Sequence, residues 1–192
     1  MDSFDRWYIE PIRKYIDENL HKMATSKEKF HILCNIQQYI QQLMIDCPIA
    51  SEEEVKEGVL DNYGVLYSAD GRKLIKANED LTTYIIKPGT KIICDSAFCD
   101  CRLLRVVNIP ESVEIIGHSA FCRCSSLNSV LIPSSVKEIG SEAFWYCSGI
   151  SFVNYPSLTY IPDGLFVACD LSDFEIPKSV YVLEASCFAS SL

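Results

Sequence analysis

Ten cysteines in 192 residues are the feature of this sequence most able to do chemistry, and four of them form two Cys-x-Cys pairs, Cys99/Cys101 and Cys122/Cys124. Two such pairs could present four thiolates to a zinc ion, which favours a tetrahedral sulfur set. Cys99 and Cys122 could instead close a disulfide, although spacing alone does not supply the required geometry. A plainer account competes with both. Cys101, Cys124, Cys147 and Cys169 each follow a phenylalanine by three residues, and a free cysteine packs as a small buried hydrophobe. Cys99 and Cys122 stand where later copies of the same phrase carry Trp145, Val167 and Ala189, so apolar packing suits that position too. Packing is therefore the preferred role, no metal ligands are assigned, and metal binding through the Cys-x-Cys pairs is kept as an alternative.

Other reactive groups are sparse. His21 and His31 lie in helical patterns without a Cys or Asp partner, and His118 occupies a position held by Ser141 and Asp163 in the following copies, as a solvated turn residue would. None completes a nucleophile-base-acid set. The sequence contains no Gly-rich phosphate loop, H-E-x-x-H or G-x-S-x-G, so no enzyme class and no cofactor is implied. The run Glu52-Glu53-Glu54 is expected to be a solvated helix start rather than a carboxylate pair.

A net charge of -9 with 17 Lys and Arg lacks the positive field that nucleic acid or an anionic membrane surface requires. The first residues, MDSFDRWYIE, do not have the basic segment and apolar run of a secretory leader. No apolar stretch is long enough to span a bilayer. A cytoplasmic location is the default expectation, with the cell surface or secretion open if a leader has been removed.

What positions these residues is a repeat. The segment IPESVEIIGHSAFCRC, residues 109–124, and IPSSVKEIGSEAFWYC, residues 132–147, agree at nine of sixteen positions. Phe98, Phe121, Phe144, Phe166 and Phe188 follow at spacings of 23, 23, 22 and 22. Ile93, Ile116, Ile139, Ile161 and Leu183 form a second column. A third column is L-x-x-V-x-I-P, as in Leu104, Val107, Ile109 and Pro110, with versions beginning at Leu81, Leu127, Ile150 and Leu171. A fixed period in the twenties predicts a solenoid whose units bury their apolar faces only against neighbours.

Within L-x-x-V-x-I the two branched residues are two apart, so they share one face of a strand and leave the alternating residues on the other. Proline then ends the strand. The S-V-x-x-I-G portion predicts a second short extended piece, with Gly117 and Gly140 permitting a bend. A-F-x-x-C predicts a helical or 3₁₀ turn that places Phe between layers.

These columns resemble the leucine-rich repeat family, in its BspA-like branch, whose pattern is L-x-x-I-x-I-P-x-x-V-x-x-I-G-x-x-A-F-x-x-C. The resemblance covers residues 59–192, with an entry hairpin around Gly64–Ile75 whose turn is Asp70-Gly71. It implies a leucine-rich repeat solenoid, right-handed and curved, with short parallel strands and 3₁₀ or helical turns. It also implies a concave strand face on which a protein or peptide docks. By register that face comprises Thr83, Ile85, Val106, Asn108, Ser129, Leu131, Phe152, Asn154, Asp173 and Glu175. Its middle is apolar and its far end acidic, a pattern that marks binding surfaces. Similar proteins are often displayed on host-dwelling microbes, so adhesion or host interaction is the implied role.

Residues 1–58 have a different composition. Ile12, Ile16 and Leu20, then Phe30, Leu33, Ile36, Ile40 and Leu43, recur at helical spacing and predict a helical hairpin that caps the first repeat. Residues 48–58 are an acidic connector. The fifth copy stops near Leu192, where an open edge could pair with a second molecule. A self-assembling scaffold, homodimeric through that edge, is therefore the structural alternative to a binding module.

Overall fold

The computed structural model describes residues 10–19, 35–36, 46–156, 158–171 and 174–191. The chain divides into two units, Met1–Cys47 and Pro48–Leu192. In the first, α1 spans Glu10–Asn19, with Ile12 and Ile16 half-buried one turn apart while Arg13, Lys14 and Glu18 are exposed. Residues 35–36 are also helical. The remainder of the expected helical hairpin lies outside the described residues.

The second unit opens with α2 (Glu52–Lys56), whose start is fixed chemically. The Ser51 hydroxyl accepts from the Glu54 N–H at 3.1 Å, and the Glu54 carboxylate accepts from the Ser51 N–H at 2.8 Å. This reciprocal pair satisfies two donors that a helix end otherwise leaves orphaned. Glu54 also reaches buried Lys73, 2.8 Å away. One member of the acidic run is thus the counter-charge of a buried ammonium, not a solvated helix-start residue.

Three antiparallel strands follow, β1 (Val59–Leu60), β2 (Leu66–Tyr67) and β3 (Lys73–Lys76). Gly71, at φ +72°, supplies the left-handed residue of the β2–β3 turn. From β3 onward the pairing becomes parallel. β5 (Ile92–Ile93), β7 (Ile115–Ile116) and β9 (Glu138–Ile139) extend the sheet, and β11 (Tyr160–Ile161) pairs with β12 (Val182–Leu183). The other line, met first in each turn and so the first strand line, comprises β4 (Thr83–Ile85) with β6 (Val106–Asn108), and β8 (Ser129–Leu131) with β10 (Phe152–Asn154); the β5, β7 and β9 side is the second strand line. The result is a parallel β-solenoid of about five turns.

Between the two lines the A-F-x-x-C segments form the third side of each turn. They carry i+3 to i hydrogen bonds of the 3₁₀ kind, such as Cys122 N–H to Ser119 O at 3.0 Å and Cys124 N–H to Phe121 O at 3.2 Å. No continuous helix results, because left-handed residues interrupt the run. Ser119 and Arg123 in one turn, and Glu142 and Tyr146 in the next, have φ between +52° and +59°. A left-handed residue costs about 1–2 kcal/mol for an L side chain. The return is that alternate N–H groups point along the solenoid axis. Phe98, Phe121, Phe144 and Phe166 donate to Ala120, Ala143, Leu165 and Cys187 at 2.7, 2.8, 3.1 and 2.9 Å.

The aromatic column is enclosed as the repeat pattern requires. Phe98, Phe121, Phe144 and Phe166 are fully buried, with consecutive ring centroids 4.9, 5.3 and 5.9 Å apart and planes within 14° of parallel. Such offset ring pairs add about 0.5–1.5 kcal/mol beyond area burial.

Gly117 and Gly140 have a different reason from the expected bend. An added Cβ at Gly117 would lie 2.6 Å from the Asp95 nitrogen, and one at Gly140 would lie 2.6 Å from the Gly117 carbonyl carbon. Each glycine exists because the preceding turn's backbone passes too close for a side chain. Two stability changes should follow. Phe144→Ala should lower unfolding free energy by ~3–5 kcal/mol, and Gly140→Ala by ~1–3 kcal/mol through overpacking, both readable by urea unfolding. A Gly140→Ala protein as stable as the parent would disprove the close-approach account.

Candidate functional site

On the first strand line every three-residue strand alternates exposed, buried, exposed. Tyr84, Val107, Val130 and Val153 turn inward. Their flanking residues Thr83, Ile85, Val106, Asn108, Ser129, Leu131, Phe152 and Asn154 are all exposed. Parallel pairing sets Thr83 beside Val106 and Ile85 beside Asn108, then Ser129 beside Phe152 and Leu131 beside Asn154. The strip therefore has two columns. One reads Thr, Val, Ser, Phe and the other Ile, Asn, Leu, Asn.

Ile85, Val106, Leu131 and Phe152 are 73%, 53%, 62% and 56% exposed. Beside Val106 and Leu131 lies a hollow of about 460 Å³, lined also by Asn108, Ser129 and Asn154. Its rim is completed by Glu111 and Ser134, whose side chains meet at 3.4 Å. Sequence reasoning missed this rim. The available clue was that both residues sit just past the strand-ending proline, 23 residues apart, and so recur on one edge of the strip. A second hollow of about 300 Å³ joins Phe152 to Phe174 and Glu175.

Of the two remaining residues expected on the strip, Asp173 lies outside the described residues. Glu175 is exposed, but residues 174–177 form no strand and Ile176 of the inward column is 47% exposed. Here a half-exposed Phe174 replaces the valine that turns inward in the three preceding copies.

The cysteines take up two environments. Cys101, Cys124, Cys147 and Cys169 are buried, and the last three donate S–H to the Phe98, Phe121 and Phe144 carbonyls at 3.2, 2.9 and 3.2 Å. Ser191 takes the same place and donates to the Phe166 carbonyl. Burial pushes the Cys101 and Cys169 thiols up to about 12, which keeps them protonated near neutral pH. Among the described residues no three His, Cys, Asp or Glu side chains converge as a metal set. Cys34 lies outside the described residues.

His118 is part-exposed, with Nε2 3.1 Å from the Ser119 hydroxyl and 3.9 Å from Glu142. The carboxylate approaches the same ring nitrogen as the serine. A relay needs it on the opposite nitrogen, so the cluster is not a triad. His21 and His31 lie outside the described residues.

The second strand line carries a charge ladder. Lys91 and Lys137 bind the two oxygens of Glu114 at 2.7 and 2.5 Å. These bonds, Lys137's foremost, hold the Glu114 carboxyl down at about 2.

The comparisons with known proteins agree with this geometry. Residues 74–192 match the family model described as BspA type leucine-rich repeat region, in six copies. The chain belongs to the BspA-type leucine-rich repeat family. No curated protein matches the sequence. Among solved structures, a leucine-rich repeat protein from Bacteroides ovatus is 25% identical, covering 69% of this chain and 41% of its own, with a TM-score of 0.49. A leucine-rich cell surface protein from Faecalibacterium prausnitzii is 22% identical over 68% of this chain and 40% of its own, with a TM-score of 0.47. The pneumococcal vaccine antigen PcpA is 18% identical over 69% and 44%, with a TM-score of 0.41. This BspA-type chain thus aligns with about two fifths of the length of those proteins. No described helix is long and apolar enough to cross a membrane.

A pH prediction follows from the ladder. Glu114's folded pKa lies below its ordinary value of 4.5, so its stabilisation is present above about pH 4.5 and is lost as pH falls toward about 2. The site is partly exposed, which limits the effect to about 1 kcal/mol. Glu114→Gln should melt lower than the parent at neutral pH, and the two melting curves should converge near pH 2. A gap that persists unchanged at pH 2 would contradict the assignment.

Proposed function

We propose that this BspA-type array is a non-enzymatic protein-interaction module that holds a protein or peptide on the first strand line. The observation that carries this reading is the row of exposed Ile85, Val106, Leu131 and Phe152, with Val106 and Leu131 bordering a 460 Å³ hollow lined by Asn108 and Asn154, and Phe152 bordering a second of about 300 Å³. Keeping four large apolar side chains in water has no benefit for folding, whereas covering them releases about 25 cal/mol per Å². The nearby Asn108, Ser129 and Asn154 supply donors and acceptors that orient a partner.

The strip turns alternate side chains outward on every strand, so recognition falls to side chains. That arrangement favours a partner surface or peptide with its own apolar anchor and polar flank, and gives no purchase to a phosphate backbone. The family resemblance supports adhesion or host interaction as the setting in which such capture is used.

The test is affinity capture from native lysate and from host extracellular material, with the doubly substituted Val106→Asp, Phe152→Ala protein as control. Captured protein should fall roughly tenfold or more, while unfolding free energy changes within about 0.5 kcal/mol per surface site. Equal capture by parent and variant would reject the strand face as the binding surface.

A further inference from the structure

Cys99 and Cys122 stand apart from the column cysteines. Cys101 and Cys124 turn toward backbone carbonyls, of Asn78 at 3.7 Å and Phe98 at 3.2 Å. The Cys99 thiol instead donates to the Asp100 carboxylate at 3.7 Å, and the Cys122 thiol neighbours it from the next turn. They occupy equivalent positions in consecutive turns, between ladder bonds Phe98 N–H to Ala120 O at 2.7 Å and Asp100 N–H to Cys122 O at 2.9 Å. Those two bonds hold the backbones at Cys99 and Cys122 side by side, as the roughly 4.4–6.8 Å Cα separation of a disulfide requires. Cys99 is half-buried while Cys122 is buried.

We infer that Cys99 and Cys122 are an oxidation site, at which a peroxide converts two adjacent thiols into a disulfide that staples consecutive turns. The Cys99 sulfur attacks one peroxide oxygen, the O–O bond breaks, and Cys99 becomes a sulfenic acid as water leaves. The Cys122 sulfur then attacks that sulfur, the S–O bond breaks, and a second water leaves. The two thiols lose two electrons and two protons, and hydrogen peroxide becomes two waters. Burial holds both thiols above their ordinary range, so the reaction quickens as pH rises.

The staple would join turns that lead, seven residues on, into Val106 and Ser129. It would therefore stiffen the centre of the strand face without touching it. The inference stands independently of whether that face binds a protein.

The test treats the reduced full chain with hydrogen peroxide from about pH 7 to about pH 9, alkylates remaining thiols, and digests it without reductant for mass spectrometry. The expected product is a Cys99–Cys122 linked peptide pair lighter by two hydrogens, forming faster at the higher pH. Closing a 23-residue loop should raise Tm by roughly 5–10 °C. Cys99→Ala and Cys122→Ala should each abolish both changes while still folding, since Ala189 holds the same position in the last turn. Sulfinic products at Cys99 with Cys122 left alkylatable, a link to any other cysteine, or an equal Tm rise in the variants would overturn the proposal.

Discussion

Phe98, Phe121 and Phe144 are each gripped by the following turn through the backbone, while their rings stack along the column. Phe121 donates its N–H forward to Ala143 at 2.8 Å, and its carbonyl accepts the Cys147 thiol at 2.9 Å. Its ring lies between those of Phe98 and Phe144. A single turn of this chain could not satisfy these N–H groups alone, since its alternate N–H groups face the next turn. Burying such a donor unpaired would cost about 1–3 kcal/mol. The repeat period is held by this requirement: a turn of different length would move its carbonyls out of reach.

The same constraint explains why chemistry is scarce and surface is plentiful. Of the thiols with column spacing, three are spent on phenylalanine carbonyls and Cys101 on the Asn78 carbonyl. Glycine at 117 and 140 is imposed by the neighbouring backbone. What repetition leaves unconstrained is the outward half of each strand. There Val106, Leu131 and Phe152 can vary in chemistry without disturbing the ladder, so that is where specificity has room to arise.

Much of this was legible in the residues. L-x-x-V-x-I placed Val107 and Val130 inside and Val106, Ser129 and Leu131 outside, because a period of two leaves no other assignment once one face is buried. The A-F-x-x-C turn was less legible. Its two left-handed residues are Ser, Asp, Arg, Glu, Tyr or Ala as often as not, types that announce no such conformation. The glycines invited a conformational explanation, although the operative fact was a distance to another turn. The hollow's rim at Glu111 and Ser134 escaped notice because neither residue type is unusual in a turn.

By itself the sequence determined the period, the identity of the buried columns and the outward strip, since those depend on local alternation and on like residues recurring in register. Tertiary structure alone decided which cysteines meet a carbonyl and which meet each other, and which carboxylate is clasped by two lysines. It also decided how the exposed apolar residues gather around a hollow. Those outcomes depend on side chains 22 or 23 residues apart being brought within a few ångströms, and no property of a residue in its own turn specifies what the adjacent turn sets beside it.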